Sequence, residues 1–101
     1  MSSLRQHEES WLLRQVPDDQ ALWLCNNATV QSMIELAETL EYLDDATFRY
    51  HVQRSQNDFA QWIRHTVGDR DLAREISRVK TKETLARKID KRLRVLRRGT
   101  A

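Results

Sequence analysis

The sequence predicts a mainly α protein, a compact bundle of four to five short helices that leaves room for a minor β-hairpin near residues 22–30. Three observations lead there. Glycine and proline are scarce, two and one in 101 residues, while the helix formers Leu, Ala, Glu and Arg are abundant. Apolar side chains recur at three- and four-residue intervals over most of the chain. Residues suited to capping stand where those patterns begin: Ser32, Asp44, Asp69 and Thr81.

A chain of this length fits one domain, 1–101, burying roughly two-thirds of its unfolded surface. Within it, residues 22–79 read as a helical core and 80–101 as a basic amphipathic C-terminal helix.

Element by element, "LRQHEESWLLRQV" suits a short helix with Trp11, Leu12 and Val16 inward, ended by Pro17. "ALWLCNNATV" reads as two extended pieces around Asn26-Asn27, since Asn tolerates the left-handed angles of a tight turn. Two strands alone are marginal, so that hairpin must lie on helices. Ser32 and Glu35 have capping-box spacing, and Met33, Ile34, Ala37 and Leu40, with Leu43 as a further candidate, follow as an apolar stripe that leaves Glu35, Glu38 and Glu41 directed toward water. Asp44 caps the next helix, with Leu43 and Phe48 as a hydrophobic staple; Phe48, Val52 and either Tyr50 or His51 turn inward. Ser55 with Asp58, or else Asn57, starts a third helix whose inner face is Phe59, Trp62, Ile63 and Thr66 or Val67. Gly68 ends it and Asp69 caps a fourth, which buries Leu72, Ile76 and Val79. Thr81 opens a last helix reaching about Arg98, with Gly99 as its terminator.

Cysteine and hydropathy bound the compartment. A single Cys25 makes no internal disulfide, which suits a reducing interior. No apolar run approaches ~18 residues, and "MSSLRQHEES" lacks the apolar segment of a signal peptide, so a cytoplasmic protein with no membrane partner is expected. Charge is divided unevenly. Residues 1–79 hold 8 Lys/Arg against 13 Asp/Glu, a net of −5, whereas residues 80–101 hold 9 against 2, a net of +7.

The stretch from Leu22 to Ile76 resembles a small bacterial and archaeal domain family of unknown function. Its pattern is carried by Tyr50-His51-Val52, Asn57-Asp58-Phe59, Trp62-Ile63, Gly68-Asp69 and Leu72-Ala73, while Asn26-Asn27 stands where the family has Asp-Gly. The resemblance implies a helical domain with a small extended N-terminal element, and it implies no activity.

Five constellations carry chemistry worth weighing. Cys25, His51, His65, Asp58 and His7 are suitable metal ligands, but none stands at C-x-x-C, H-x-x-x-H or H-E-x-x-H spacing, so no metal or other cofactor is expected. His51 with Asp58 resembles an oriented base, and Ser55 or Cys25 a nucleophile. Yet the chain has no glycine-rich loop or nucleophile turn, and Ser55, Asn57 and Asp58 already suit helix capping. No catalytic residue and no small-molecule substrate is therefore assigned. Trp62, spaced with Phe59 and Ile63, reads as core, whereas Trp23 in the alternating "LWLC" is the one suited to an interface. "DFAQWIRHTVGDRDLAREISRV" has the outline of a helix-turn-helix, with Arg70, Arg74 and Arg78 on one face. Asp69, Asp71 and Glu75 accompany them and favour a solvated face with internal ion pairs.

The strongest signal is the last helix. At 100° per residue, Leu85, Ile89, Leu93 and Leu96 form one stripe, joined by Ala86. Arg87, Lys91, Arg94 and Arg98 fall opposite, with Lys88 and Arg92 flanking and Arg97 nearby. Glu83 and Asp90 stand four residues before Arg87 and Arg94, spacing that would partly neutralise those two. Without an aromatic anchor the stripe suits docking on its own domain better than a lipid surface.

The expected function is a non-catalytic interaction module, binding a protein partner or a second copy through the helical surface and Arg87, Lys88, Lys91, Arg92, Arg94, Arg97 and Arg98. The alternative is association with nucleic-acid phosphates through the same helix, with Arg70, Arg74 and Arg78 as an auxiliary face. Third comes a small enzyme or metal protein around His51 and Asp58.

Overall fold

Five helices and two small hairpins build the fold in a computed structural model that describes residues 11–100, with side chains described for 11–98. The helices are α1 (Met33–Tyr42), α2 (Asp45–His51), α3 (Asp58–Trp62), α4 (Arg70–Ile76) and α5 (Lys82–Thr100). One hairpin pairs β1 (Leu22–Trp23) with β2 (Thr29–Val30), Leu22 opposite Val30. The other pairs β3 (Val52–Gln53) with β4 (Gln56–Asn57), Val52 opposite Asn57.

The expected caps form. Ser32 Oγ accepts from the Glu35 amide at 3.0 Å, and the Glu35 carboxylate reaches back to the Gln31 amide at 2.8 Å. Asp44, Asn57, Asp69 and Thr81 likewise accept from the first turns of α2, α3, α4 and α5. Gly68 ends the third helix at φ +95, an angle that favours glycine. Its amide bonds Ile63 O at 2.8 Å, five residues back, so Ile63–Val67 is wound as a π-helical extension of α3.

One hydrophobic core runs from Leu12 to Leu96. Leu85, Ile89, Leu93 and Leu96 are all buried, and α5 lays this side on α1 and α4, so the leucine stripe is covered by its own domain. Phe48 and Phe59 stack at 5.7 Å between α2 and α3. The hairpin at Asn26-Asn27 closes as expected, with Asn27 at φ 73 and Asn26 Oδ1 accepting from the Ala28 amide at 3.0 Å.

Several expectations are corrected. Among the described residues the N-terminal helix is reduced to a 3-10 turn, Trp11–Leu13; Leu12 and Val16 are buried but Trp11 is half-exposed. Trp11 lies across Gly68, where an added Cβ would meet its ring at 2.8 Å. The beginning of that expected helix, including His7, lies outside the described residues. In α1 Leu36 is fully buried alongside Met33 and Leu40, whereas Ile34 is only half-buried. A helix starting at Met33 returns to the same face after three and seven residues, which selects Leu36 and Leu40.

Of Tyr50 and His51, the histidine is the buried one, and Val67 rather than Thr66 is enclosed. Val52 leaves the helix altogether. A second hairpin intervenes, turning at Arg54-Ser55 with Arg54 at φ 47, and Ser55 is therefore a turn residue and Asn57 the cap. Finally, α5 runs through Gly99 to Thr100 rather than ending at the glycine.

Candidate binding surfaces

With the leucine side of α5 buried, its opposite side faces solvent along a helix of 19 residues. Arg87, Lys91, Arg94 and Arg98 are exposed, and none of them makes an ion pair among the described residues. The expected i, i+4 neutralisation by Glu83 and Asp90 does not form: the described ion pairs are elsewhere. Exposed pairs of this kind gain little in water, so the two carboxylates are left solvated. Lys88 is half-buried at the flank and Arg97 is exposed. Val95 interrupts the cationic surface. It is 43% exposed, four residues from Lys91 and three from Arg98, so one apolar side chain sits among the charges.

Arg92 departs from the expected pattern. Its Nε donates to Asp69 Oδ2 at 2.6 Å, and that carboxylate is buried. Asp69 Oδ1 meanwhile accepts from the Leu72 amide. The guanidinium is thus committed to the carboxylate that caps α4, and Arg92 acts first as a tie between α5 and α4. At the other end of α5, Lys82 donates to the Leu43 carbonyl and lies 3.9 Å from Asp45.

The His51–Asp58 pair is real but enclosed. The ring is nearly buried, and its two nitrogens are both occupied. The Cys25 amide at 3.0 Å can only donate, so Nε2 accepts and the ring proton lies on Nδ1, donated to Asp58 Oδ2 at 2.9 Å. Tyr50 and Phe59 meet the ring edge-on. His51 therefore clasps the first hairpin to the start of α3 and presents no free nitrogen to a substrate. His65, by contrast, is exposed on the π-helical segment. Among the described residues no group of three or more His, Cys, Asp and Glu could hold a metal ion.

Packing between α3 and α4 makes the second surface. Asn57 ties the two helices: its Oδ1 caps α3 through the Ala60 amide at 3.0 Å, and its Nδ2 donates to the Ile76 carbonyl at the end of α4 at 2.8 Å. The small side chains of Ala60 and Ala73 leave a groove of about 540 Å³ between the helices. Arg64, His65, Arg70 and Arg74 line it, and no carboxylate does. Arg70 and Arg74 were legible as one face of α4, but Arg78 is not part of this groove. Arg64 was missed, and His65 was weighed only as a metal ligand. A helical wheel drawn at 100° per residue misplaces side chains on a π-wound segment.

Trp23 and Tyr50 are more than half exposed and Tyr42 is 85% exposed, whereas Trp62 is core and donates its indole N–H to Gln20 O at 2.9 Å. Among the described residues no helix is long and apolar enough to cross a membrane.

Residues 21–96 match the model of a family described as a family of unknown function (DUF5752). The chain belongs to that family. No curated protein and no solved structure matches it. The DUF5752 match extends the resemblance beyond residue 76: it takes in both hairpins, α1 to α4 and α5 as far as Leu96. Arg97 and Arg98 lie beyond the matched stretch.

Proposed function

We propose that this chain is a non-catalytic interaction module whose outward face of α5 binds an acidic protein surface, on another protein or on a second copy. The carrying observation is the cationic row Arg87, Lys91, Arg94 and Arg98, solvent-facing, without described ion pairs, and flanked in its C-terminal half by the exposed Val95. An apolar contact beside a row of charge suits a protein partner: the apolar side chain contributes affinity, the charges orientation and encounter rate. The molecule carries a complementary patch. Glu38 and Glu41 are exposed on α1, beside the 85% exposed Tyr42. Arg92 is left out of the recognition set because Asp69 already holds it.

Light scattering of the purified protein, together with co-purification and reconstitution of any partner from pure components, tests this reading. Lys91→Glu with Arg98→Glu is expected to abolish the complex, and Val95→Asp to weaken it at least about tenfold. A strict monomer with no partner that can be reconstituted would overturn the proposal.

A second reading is favoured by the same lack of counter-charges: the row binds nucleic-acid phosphates. It predicts retention of DNA or RNA at low salt that falls steeply as salt rises, is lost in the Lys91→Glu, Arg98→Glu protein, and is indifferent to Val95→Asp.

A further inference from the structure

We infer that the groove between α3 and α4 is a binding site for a small phosphate-bearing ligand, separate from the outward face of α5. Four observations carry this. Arg64 and His65 from the π-helical segment, and Arg70 and Arg74 one turn apart on α4, line a single concavity of about 540 Å³. That volume falls within the roughly 300–1,000 Å³ range of small-molecule sites. None of these four side chains makes an ion pair or hydrogen bond among the described residues, so their donors are available. Asp71 and Glu75 belong to α4 but do not line the groove, so the cations converge without an internal counter-ion. Bringing three guanidinium groups together raises their mutual repulsion, which a bound anion relieves, and each offers paired N–H donors suited to phosphate oxygens.

The walls are set before any ligand arrives. Asn57 bridges the start of α3 and the end of α4 with two hydrogen bonds. Arg14 donates to the Thr66 and Val67 carbonyls at 2.8 and 3.0 Å, holding the end of the π-helical segment that carries Arg64 and His65. Small floor residues, Ala60 and Ala73, allow a ligand close to the backbone. The π winding also fits, since such segments recur at functional sites where side chains must be re-aimed.

The shared chemistry is a phosphate or diphosphate group, supplied either by an inorganic polyphosphate or by a nucleotide. Calorimetric titration of the intact protein with inorganic pyrophosphate and, separately, with AMP distinguishes the two sources. Saturable binding at one site is expected for at least one probe, with amide shifts in NMR spectra centred on residues 60–74. Arg70→Ala with Arg74→Ala should weaken it at least about tenfold, as should Ser55→Glu, which brings a carboxylate to the rim without touching the core. Lys91→Glu with Arg98→Glu should leave it within about twofold, well under the tenfold expected for losing a bidentate contact. If neither probe saturates by millimolar concentration, or if the α5 variant weakens binding as much as the groove variants do, the site does not exist. Neither result bears on the protein-binding role of α5, which has its own variants.

Discussion

Asp69 is shared between two elements: one oxygen caps α4 at the Leu72 amide, and the other accepts from Arg92 of α5 at 2.6 Å. A buried carboxylate is stable only while both oxygens are engaged. Removing Arg92 as Arg92→Ala leaves a charge that water reaches poorly. The expected loss is about 3 kcal/mol, toward the low end for a broken buried pair because Arg92 keeps one side in water. Thermal melting should fall by more than about 10 °C. Exposed Lys91→Ala serves as the control; equal melting points for the two variants would show that Asp69 does not depend on Arg92.

Asn57 performs two jobs that one substitution can separate. Asn57→Asp keeps an oxygen for the Ala60 amide but replaces the donor to Ile76 O with a second oxygen. Asn57→Ala removes both. Each is expected to cost about 1–3 kcal/mol by urea unfolding. If the aspartate variant matched wild type, the bond to Ile76 would be dispensable and the α3–α4 junction held by packing alone.

His51 is expected to carry its proton on Nδ1, which nitrogen-15 imidazole shifts report directly. His51→Ala would leave the Cys25 amide and the inner oxygen of Asp58 without partners, at a cost of about 1–3 kcal/mol. Exchange of the Cys25 amide with solvent should then accelerate more than exchange in α5. An Nε2–H tautomer would contradict the clasp.

The Asp44 carboxyl is held below its ordinary value of 3.8, first by the Thr47 hydroxyl at 2.7 Å and then by the Thr47 amide at 3.0 Å. A depressed folded value means the cap stabilises fully above the unfolded carboxylate range. Its contribution disappears as pH falls from about 3.8 through the lower folded midpoint. Thr47→Val removes the larger cause. Carboxyl carbon-13 titration should therefore move the Asp44 midpoint upward, and an unmoved midpoint would assign the shift to something other than the hydroxyl.

Particular residues show how far the chain could be read without its fold. Ser32, Asp44, Gly68, Asp69 and Thr81 mark element ends because caps depend on amides only a few residues away. Leu85, Ile89, Leu93 and Leu96 declare the buried side of α5 through helical spacing alone, and the exposure of Arg87, Lys91, Arg94 and Arg98 follows. The second hairpin was not legible. Its turn puts Arg54 at a left-handed angle that arginine does not advertise, and it interrupts what reads as helix.

The amino-acid order by itself determined that this is a mainly helical protein, where most helices begin, and that the last one is basic on one side and apolar on the other. Those properties arise from neighbours three or four positions apart. Only tertiary packing decided that Arg92 serves Asp69, that His51 is a clasp on Cys25, and that Arg64 and His65 join Arg70 and Arg74 around one groove. The ties involved span 23, 26 and, for Arg14 on Thr66, 52 residues. No local periodicity encodes which distant carboxylate, amide or carbonyl a side chain will meet, because that depends on how the buried apolar faces dock.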